Sequence, residues 1–208
     1  MRWKFLFSFV FVFIVIAMLI VYWFVPFTSN EFEVQGLGNS NFSLSGTGSQ
    51  DMQFYENMRF PNSRISYKID DCPLEKEDEM ERAFDIISMQ TVLSFYPKNS
   101  DEEISVTCDS RNKIEGDVFV AGEGGPTNIT NTDKFNVILN GKLLLIRTSE
   151  CPNPNIPLHE LLHVLGFKHS SNPDNIMYNI SRCDQTIGND IIELINNLYS
   201  YPSYPDLS

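Results

Sequence analysis

The chain has 208 residues, which suits one globular domain with appendages, and a formal net charge of −12 at pH 7. That charge argues against a nucleic-acid partner, which would want a basic face, and reads most simply as a solvated acidic surface. The four cysteines include no C-x-x-C pair, which argues against a thiol metal site or a redox motif.

The N-terminal stretch is set apart from the fold. Phe5 to Val25 is 21 residues long, with Ser8 its only clearly polar member. At about 1.5 Å per residue a helix of that length matches the apolar core of a bilayer. Val25-Pro26-Phe27 offers no small-x-small cleavage site, and Tyr22 and Trp23 sit where an interfacial aromatic belt belongs. The expectation is an uncleaved signal anchor over 5–25. Arg2 and Lys4 then place residues 1–4 in the cytoplasm and everything after the span outside the cell. The expected location is therefore the cell membrane, single-pass. Residues 26–50 are rich in Gly, Ser and Asn with thin apolar content, and read as a flexible linker. The domain is expected over 51–208.

Within it, Arg64 to Ile69 alternates, with Ile65, Tyr67 and Ile69 on one face of a strand. Pro73 opens a helix whose early acidic residues suit its positive end, with Met80, Ala83, Phe84 and Ile87 at helical spacing. That helix is expected to reach about Phe95, before Pro97. Glu103 to Thr107 and Asp117 to Ala121 read as short strands. Phe135 to Leu139 and Lys142 to Arg147, separated by Asn140-Gly141, predict a hairpin with a type I′ turn. A helix starts near Pro157, and Gly166 is placed to end it. Ile191, Leu194, Ile195 and Leu198 predict a last helix with one apolar face. The order implies an α+β fold: a mixed sheet of about five strands backed by three helices, preceded by one transmembrane helix.

The chemistry is concentrated in one run. His159-Glu160-Leu161-Leu162-His163-Val164-Leu165-Gly166-Phe167-Lys168-His169 fits H-E-x-x-H-x-x-G-x-x-H. His159 and His163 are i and i+4, so both imidazoles leave one helix face and can hold one ion. Glu160 lies beside them, outside the ligand set, where it can take a proton from a water that the metal activates. Gly166 permits a left-handed turn that brings His169 up as third ligand. Three protein nitrogens leave a fourth position open, which marks a catalytic zinc site. A chance match to five fixed positions is on the order of one in 10⁵ at ordinary residue frequencies. The chain's three histidines all fall in the motif.

Downstream, Ser170-Ser171-Asn172-Pro173-Asp174-Asn175-Ile176-Met177-Tyr178 follows the third histidine. The long histidine motif followed by a Met-containing turn resembles the metzincin metallopeptidases, and His-Ser-Ser with Ile-Met-Tyr looks most like the matrixin branch. The resemblance covers roughly Arg64 to Tyr199, with His159 to Tyr178 its specific part. It implies a metzincin-like catalytic domain, one catalytic Zn2+, a protein or peptide substrate lying extended along the sheet edge, and Met177 as a floor beneath the metal. The hairpin around Asn140-Gly141 is the expected edge. The chain departs from the branch where Asn179 and Ser181 replace the usual proline and tyrosine of a segment that lines the specificity pocket. No histidine remains for a second, structural zinc. No cysteine-switch propeptide is visible, and Arg182-Cys183-Asp184 lies downstream of the motif.

Two rivals stand beside this reading. A gluzincin would take a glutamate as third ligand, and Glu193 is the available residue. A non-catalytic zinc-binding adhesion or binding ectodomain would keep the metal without turnover. Calcium is left open: Glu123, Asp117 and Asp133 offer oxygens, but acidic loop residues are mostly solvated. Sequons at Asn41, Asn128 and Asn179 and two disulfides agree with an exterior location. Four cysteines allow three connectivities. Position favours Cys72–Cys108, at the ends of neighbouring strands, and Cys151–Cys183, flanking the zinc motif.

Overall fold

In chain order the strands are β1 (Phe32–Glu33), β2 (Met58–Arg59), β3 (Arg64–Asp70), β4 (Ser94–Pro97), β5 (Ile104–Cys108), β6 (Lys113–Glu115), β7 (Val118–Val120), β8 (Gly122–Asn131), β9 (Asn136–Leu145) and β10 (Ile180–Ser181). The helices are α1 (Leu74–Gln90), α2 (Asn155–Val164) and α3 (Asn189–Leu198). The structure, a computed structural model, describes residues 52–200 except 112, 116, 117 and 150, together with residues 3 and 32–33. Among the described residues no helix is long and apolar enough to cross a membrane. The span expected over 5–25 lies outside the described residues, as does all of the 26–50 linker except Phe32–Glu33, which pairs antiparallel with β10.

The main sheet runs β4-β3-β5-β9-β8, and β2 pairs with β9 at Asn136 and Val137, before the stretch of β9 that β5 covers. β4, β3, β5 and β9 are mutually parallel, while β8 closes one edge antiparallel to β9. Parallel neighbours need a crossover, and α1 supplies it between β3 and β4. The alternation read at Arg64–Ile69 is real: Ile65 is fully buried, and Tyr67 and Ile69 pack against the core. Ile104, Val106, Leu143 and Leu145 join them against Met80, Ala83, Phe84 and Ile87 of α1 and against Leu161 and Leu162 of α2. Each fully buried Ile, Val, Leu, Met or Phe side chain contributes about 1.5–3 kcal/mol. Tyr67, Phe84 and Phe95 form an aromatic column, with ring centroids 4.2 and 4.7 Å apart.

Three expectations are corrected. First, Asn140-Gly141 is not a turn, because Asn136–Leu145 is one unbroken strand. Among the described glycines only Gly166 has a positive φ, whereas a type I′ turn needs positive φ at both central residues. Gly141 serves packing instead: a Cβ there would lie 2.5 Å from Val164 Cγ1. Its N–H bonds to the Glu103 carbonyl at 2.8 Å, so pairing with β5 overrides the local turn preference. Second, α1 stops at Gln90, short of Phe95. The Thr91 N–H and Oγ1 both bond to the Ile87 carbonyl, and the chain leaves for β4, which places Phe95 on the core beside Phe84. Third, Val118–Val120 is not a strand of the main sheet; it forms a separate two-stranded ribbon with β6. The true edge strand, β8, has the sequence GEGGPTNITN, which carries no apolar alternation and looks like a loop.

Two ties lock the ends of the helices. The buried Lys76 ammonium at the start of α1 donates to the carbonyls of Asp109, Leu145 and Ile146, at 2.8, 3.2 and 2.8 Å. Arg59 donates to the Leu198 carbonyl at the end of α3 and lies 4.4 Å from the Tyr199 ring centroid. Disulfides join Cys72 to Cys108, at the ends of adjacent β3 and β5, and Cys151 to Cys183, on either side of the histidine motif. The second spans a separation of 32 residues, for which loop-closure entropy gives about 3–4 kcal/mol of stabilisation. A Cys151→Ser/Cys183→Ser double variant is therefore expected to lose stability of that order in denaturant titration, with the Cys72–Cys108 bridge intact by non-reducing peptide mapping.

Candidate metal centre

α2 is apolar on nearly every side, and every residue from Asn155 to Val164 is buried. A helix of that kind must lie inside the domain, against β8, β9 and α1. Within it His159 and His163 stand one turn apart, 0 and 1% exposed. The helix ends in a Schellman turn: Gly166 has φ +96°, its N–H bonds to the His163 carbonyl, and the Phe167 N–H reaches back to the Leu162 carbonyl. A side chain at Gly166 would be strained by that φ and would meet Met58 at 2.9 Å. The turn reverses the chain and returns His169 to the same point in space.

The three Nε2 atoms form a small triangle with sides of 2.9 Å (His159–His163), 3.1 Å (His163–His169) and 3.2 Å (His159–His169). Among the described residues these three are the group whose ligand atoms converge as metal ligands do. A tetrahedral ion with imidazole ligands at 2.0–2.1 Å requires nitrogens about 3.3 Å apart, so the donor set fits zinc. The outer nitrogens agree. His159 Nδ1 lies 2.7 Å from the Ile176 carbonyl, and His163 Nδ1 lies 2.8 Å from the Phe167 carbonyl. A carbonyl only accepts, so each Nδ1 carries the proton and each Nε2 presents its lone pair inward. Burial and the neighbouring imidazoles hold His159 far below the ordinary histidine range, and burial beside His169 brings His163 down to about 3. Both rings are thus neutral at physiological pH, as metal ligation requires.

Glu160 stands outside this triangle. Its side chain lies against β8, where a Cβ on Gly122 would come 2.8 Å from its Cγ and 3.0 Å from its Oε1. Both carboxylate oxygens are buried without a hydrogen-bond partner among the described residues. Burial, reinforced by Glu123, drives its pKa well above the ordinary carboxylate range. A buried carboxyl left without partners is costly unless a cation or a proton offsets it, and a cation held by three neutral imidazoles is such a group.

Met177 is 1% exposed within the shared core. Its N–H is held by Asn175 Oδ1, and its carbonyl accepts from the Ser170 N–H, one residue after His169. Ile176, whose carbonyl orients His159, is tied by its own N–H to the Thr186 carbonyl. Buried Gln185 gathers the following loop by donating to the Pro173 and Ile180 carbonyls and accepting from the Arg182 N–H. Glu193 is exposed on α3, away from the histidine triangle. Glu123 lies near the start of β8, Asp133 lies beyond its end, and Asp117 is outside the described residues, so the structure does not gather the three. Asn128 is exposed and Asn179 half-buried; Asn41 is outside the described residues.

Sequence reasoning missed the glycines of β8. A Cβ on Gly124 would sit 2.3 Å from the Glu160 carbonyl oxygen, so α2 rides directly on the strand backbone there. Glycines in an otherwise unremarkable polar run are the available signal, because strand glycines mark close approach of another backbone.

A converged three-histidine centre with two of its rings buried, beside a buried glutamate on a helix laid over a mostly parallel sheet, defines a zinc metallopeptidase-like domain. The family model described as Matrixin, of peptidase family M10, matches residues 59–200, and the chain belongs to that family. No curated protein matches the chain significantly. The Gly124 contact yields a direct test. Gly124→Ala forces a Cβ onto helix backbone that cannot rotate away, and overpacking of this kind costs about 1–3 kcal/mol or more. The variant is expected to melt lower and to bind zinc more weakly, as read by calorimetry, while Gly125→Ala, which meets nothing within 4 Å, leaves both unchanged.

Proposed function

We propose that the protein is a membrane-anchored, outward-facing zinc endopeptidase with Glu160 as its general base. The observation that carries the catalytic part is the pairing of a converged histidine triangle with a buried, unpartnered glutamate next in sequence to its first ligand. His159, His163 and His169 would hold the zinc. Zinc in such a site supplies Lewis-acid polarisation of a carbonyl and acidifies water.

The protein's own part follows from its side chains. Burial raises the proton affinity of Glu160, so its carboxylate can take a proton from the attacking water and deliver it to the leaving amine. The edge for an extended peptide is β8, rather than the hairpin expected at Asn140-Gly141. Among the described strands β8 pairs only with β9, and it passes Glu160 at Gly122. A substrate strand added there would run past the proton-transfer group. The two disulfides support an oxidising, extracytoplasmic setting, and the apolar run over 5–25 with Arg2 and Lys4 before it supports anchoring with the domain outside.

Replacement of Glu160 by Gln is expected to preserve the melting profile and about one zinc per chain while peptide cleavage falls by at least 10²-fold. Cleavage close to that of the parent would leave the glutamate without a catalytic role, and absence of cleavage by the parent would favour the binding-ectodomain alternative. For topology, the chain is expected in the membrane fraction with its N-terminus retained and its domain accessible to a protease added to intact cells. A mature start between Phe27 and Gln50 would replace anchoring with secretion.

A further inference from the structure

The segment immediately before the family-matched region is built into the metal centre. Met52–Phe54 runs antiparallel to Gly166–Lys168: the Phe54 N–H donates to the Gly166 carbonyl at 2.9 Å and the Lys168 N–H to the Met52 carbonyl at 2.8 Å, with Gln53 bridged to Phe167. These bonds bracket Phe167, whose carbonyl orients His163, and they end one residue before His169.

The side chains act on the same turn. The Phe54 ring lies stacked against His163, with centroids 6.0 Å apart and planes inclined at 28°. Met58 fills the space beside Gly166 that a Cβ would occupy. The intervening loop is closed by buried Gln53, which donates to the Met58 carbonyl at 2.8 Å and accepts from the Met58 N–H at 3.0 Å. The family match begins at residue 59, so Met52–Met58 precedes the matched residues.

We infer that Met52–Met58 is a positioning clamp for the metal centre: it adds a short strand to the Schellman turn and so sets the angle of His163 and the approach of His169. The inference rests on the zinc reading above. Its physical basis is that the third ligand hangs from a turn beyond the end of α2, where the helix's own bonds no longer hold the backbone. Outer partners that fix ligand orientation usually alter metal affinity 10–100-fold when removed.

The test uses the full-length chain and zinc itself, with dissociation constants from competition against a chromophoric chelator and ligand geometry from the visible bands of the cobalt-substituted protein. Gln53→Ala and Phe54→Ala are expected to weaken zinc at least about tenfold and to shift the cobalt spectrum. Phe54→Tyr, which keeps the ring, is expected to retain parental affinity. Leu93→Ala, a core truncation on the connection after α1, serves as a stability control expected to lower the melting temperature without moving either metal readout. Phe54 is only half-buried, so its variants remain informative if loss of Gln53 unfolds the chain. Zinc affinity and cobalt bands unchanged in Phe54→Ala would overturn the clamp. A parent chain that binds no zinc would overturn the underlying metal reading and the clamp with it, a result distinguishable because it precedes any substitution.

Discussion

At Gly166 the backbone turns through φ +96°, and the remainder of the site depends on that turn. Two histidines one helical turn apart can hold an ion between them, but they cannot surround it, because both leave the same face of one rod. The third donor must come from chain that has left the helix and doubled back. A left-handed residue achieves this in one step, and only glycine takes that conformation without a Cβ penalty. The turn also satisfies carbonyls that the helix end would orphan, through the His163 and Leu162 bonds. The bend that delivers His169 is thus also the helix's proper termination.

A second constraint is the closeness of α2 to the sheet. The helix approaches β8 and β9 so tightly that Gly122, Gly124 and Gly141 have no room for a methyl group. That approach buries Glu160 completely and places it beside the edge strand. The same burial that raises its proton affinity would be destabilising in an ordinary core. Beside a bound cation that cost is offset. Helix packing and the electrostatics of this carboxyl are therefore not separable here: a looser helix would admit water and lower the carboxyl's proton affinity.

The supporting network is distributed widely in sequence. Ile176 and Phe167 carbonyls fix the histidine tautomers, Asn175 and Ser170 hold the methionine turn, and Gln185 gathers the loop that the Cys151–Cys183 bridge closes. Each partner is a backbone group or an uncharged amide. In a low-dielectric pocket such groups orient an imidazole without placing a competing charge beside the metal.

The sequence by itself determined the converging histidines, the buried glutamate beside them and the turn, because their placement is written in local spacing: i and i+4 on a helix, then a glycine, then the third histidine. It also determined the inner face of β3 and the apolar faces of α1 and α3, where a side-chain period reports directly on burial. The tertiary structure alone decided what Asn140-Gly141 and the run from Gly122 to Asn131 would be. Locally, the first has the chemistry of a turn and the second that of a loop. Pairing with β5 and β8 draws Asn140-Gly141 into a continuous strand, and α2 pressing down from above demands Gly122, Gly124 and Gly141, which helped make both segments look irregular. The part played by Met52–Phe54 was equally illegible. Its main-chain bonds reach residues more than a hundred positions away, and backbone pairing at that distance leaves no trace in residue type.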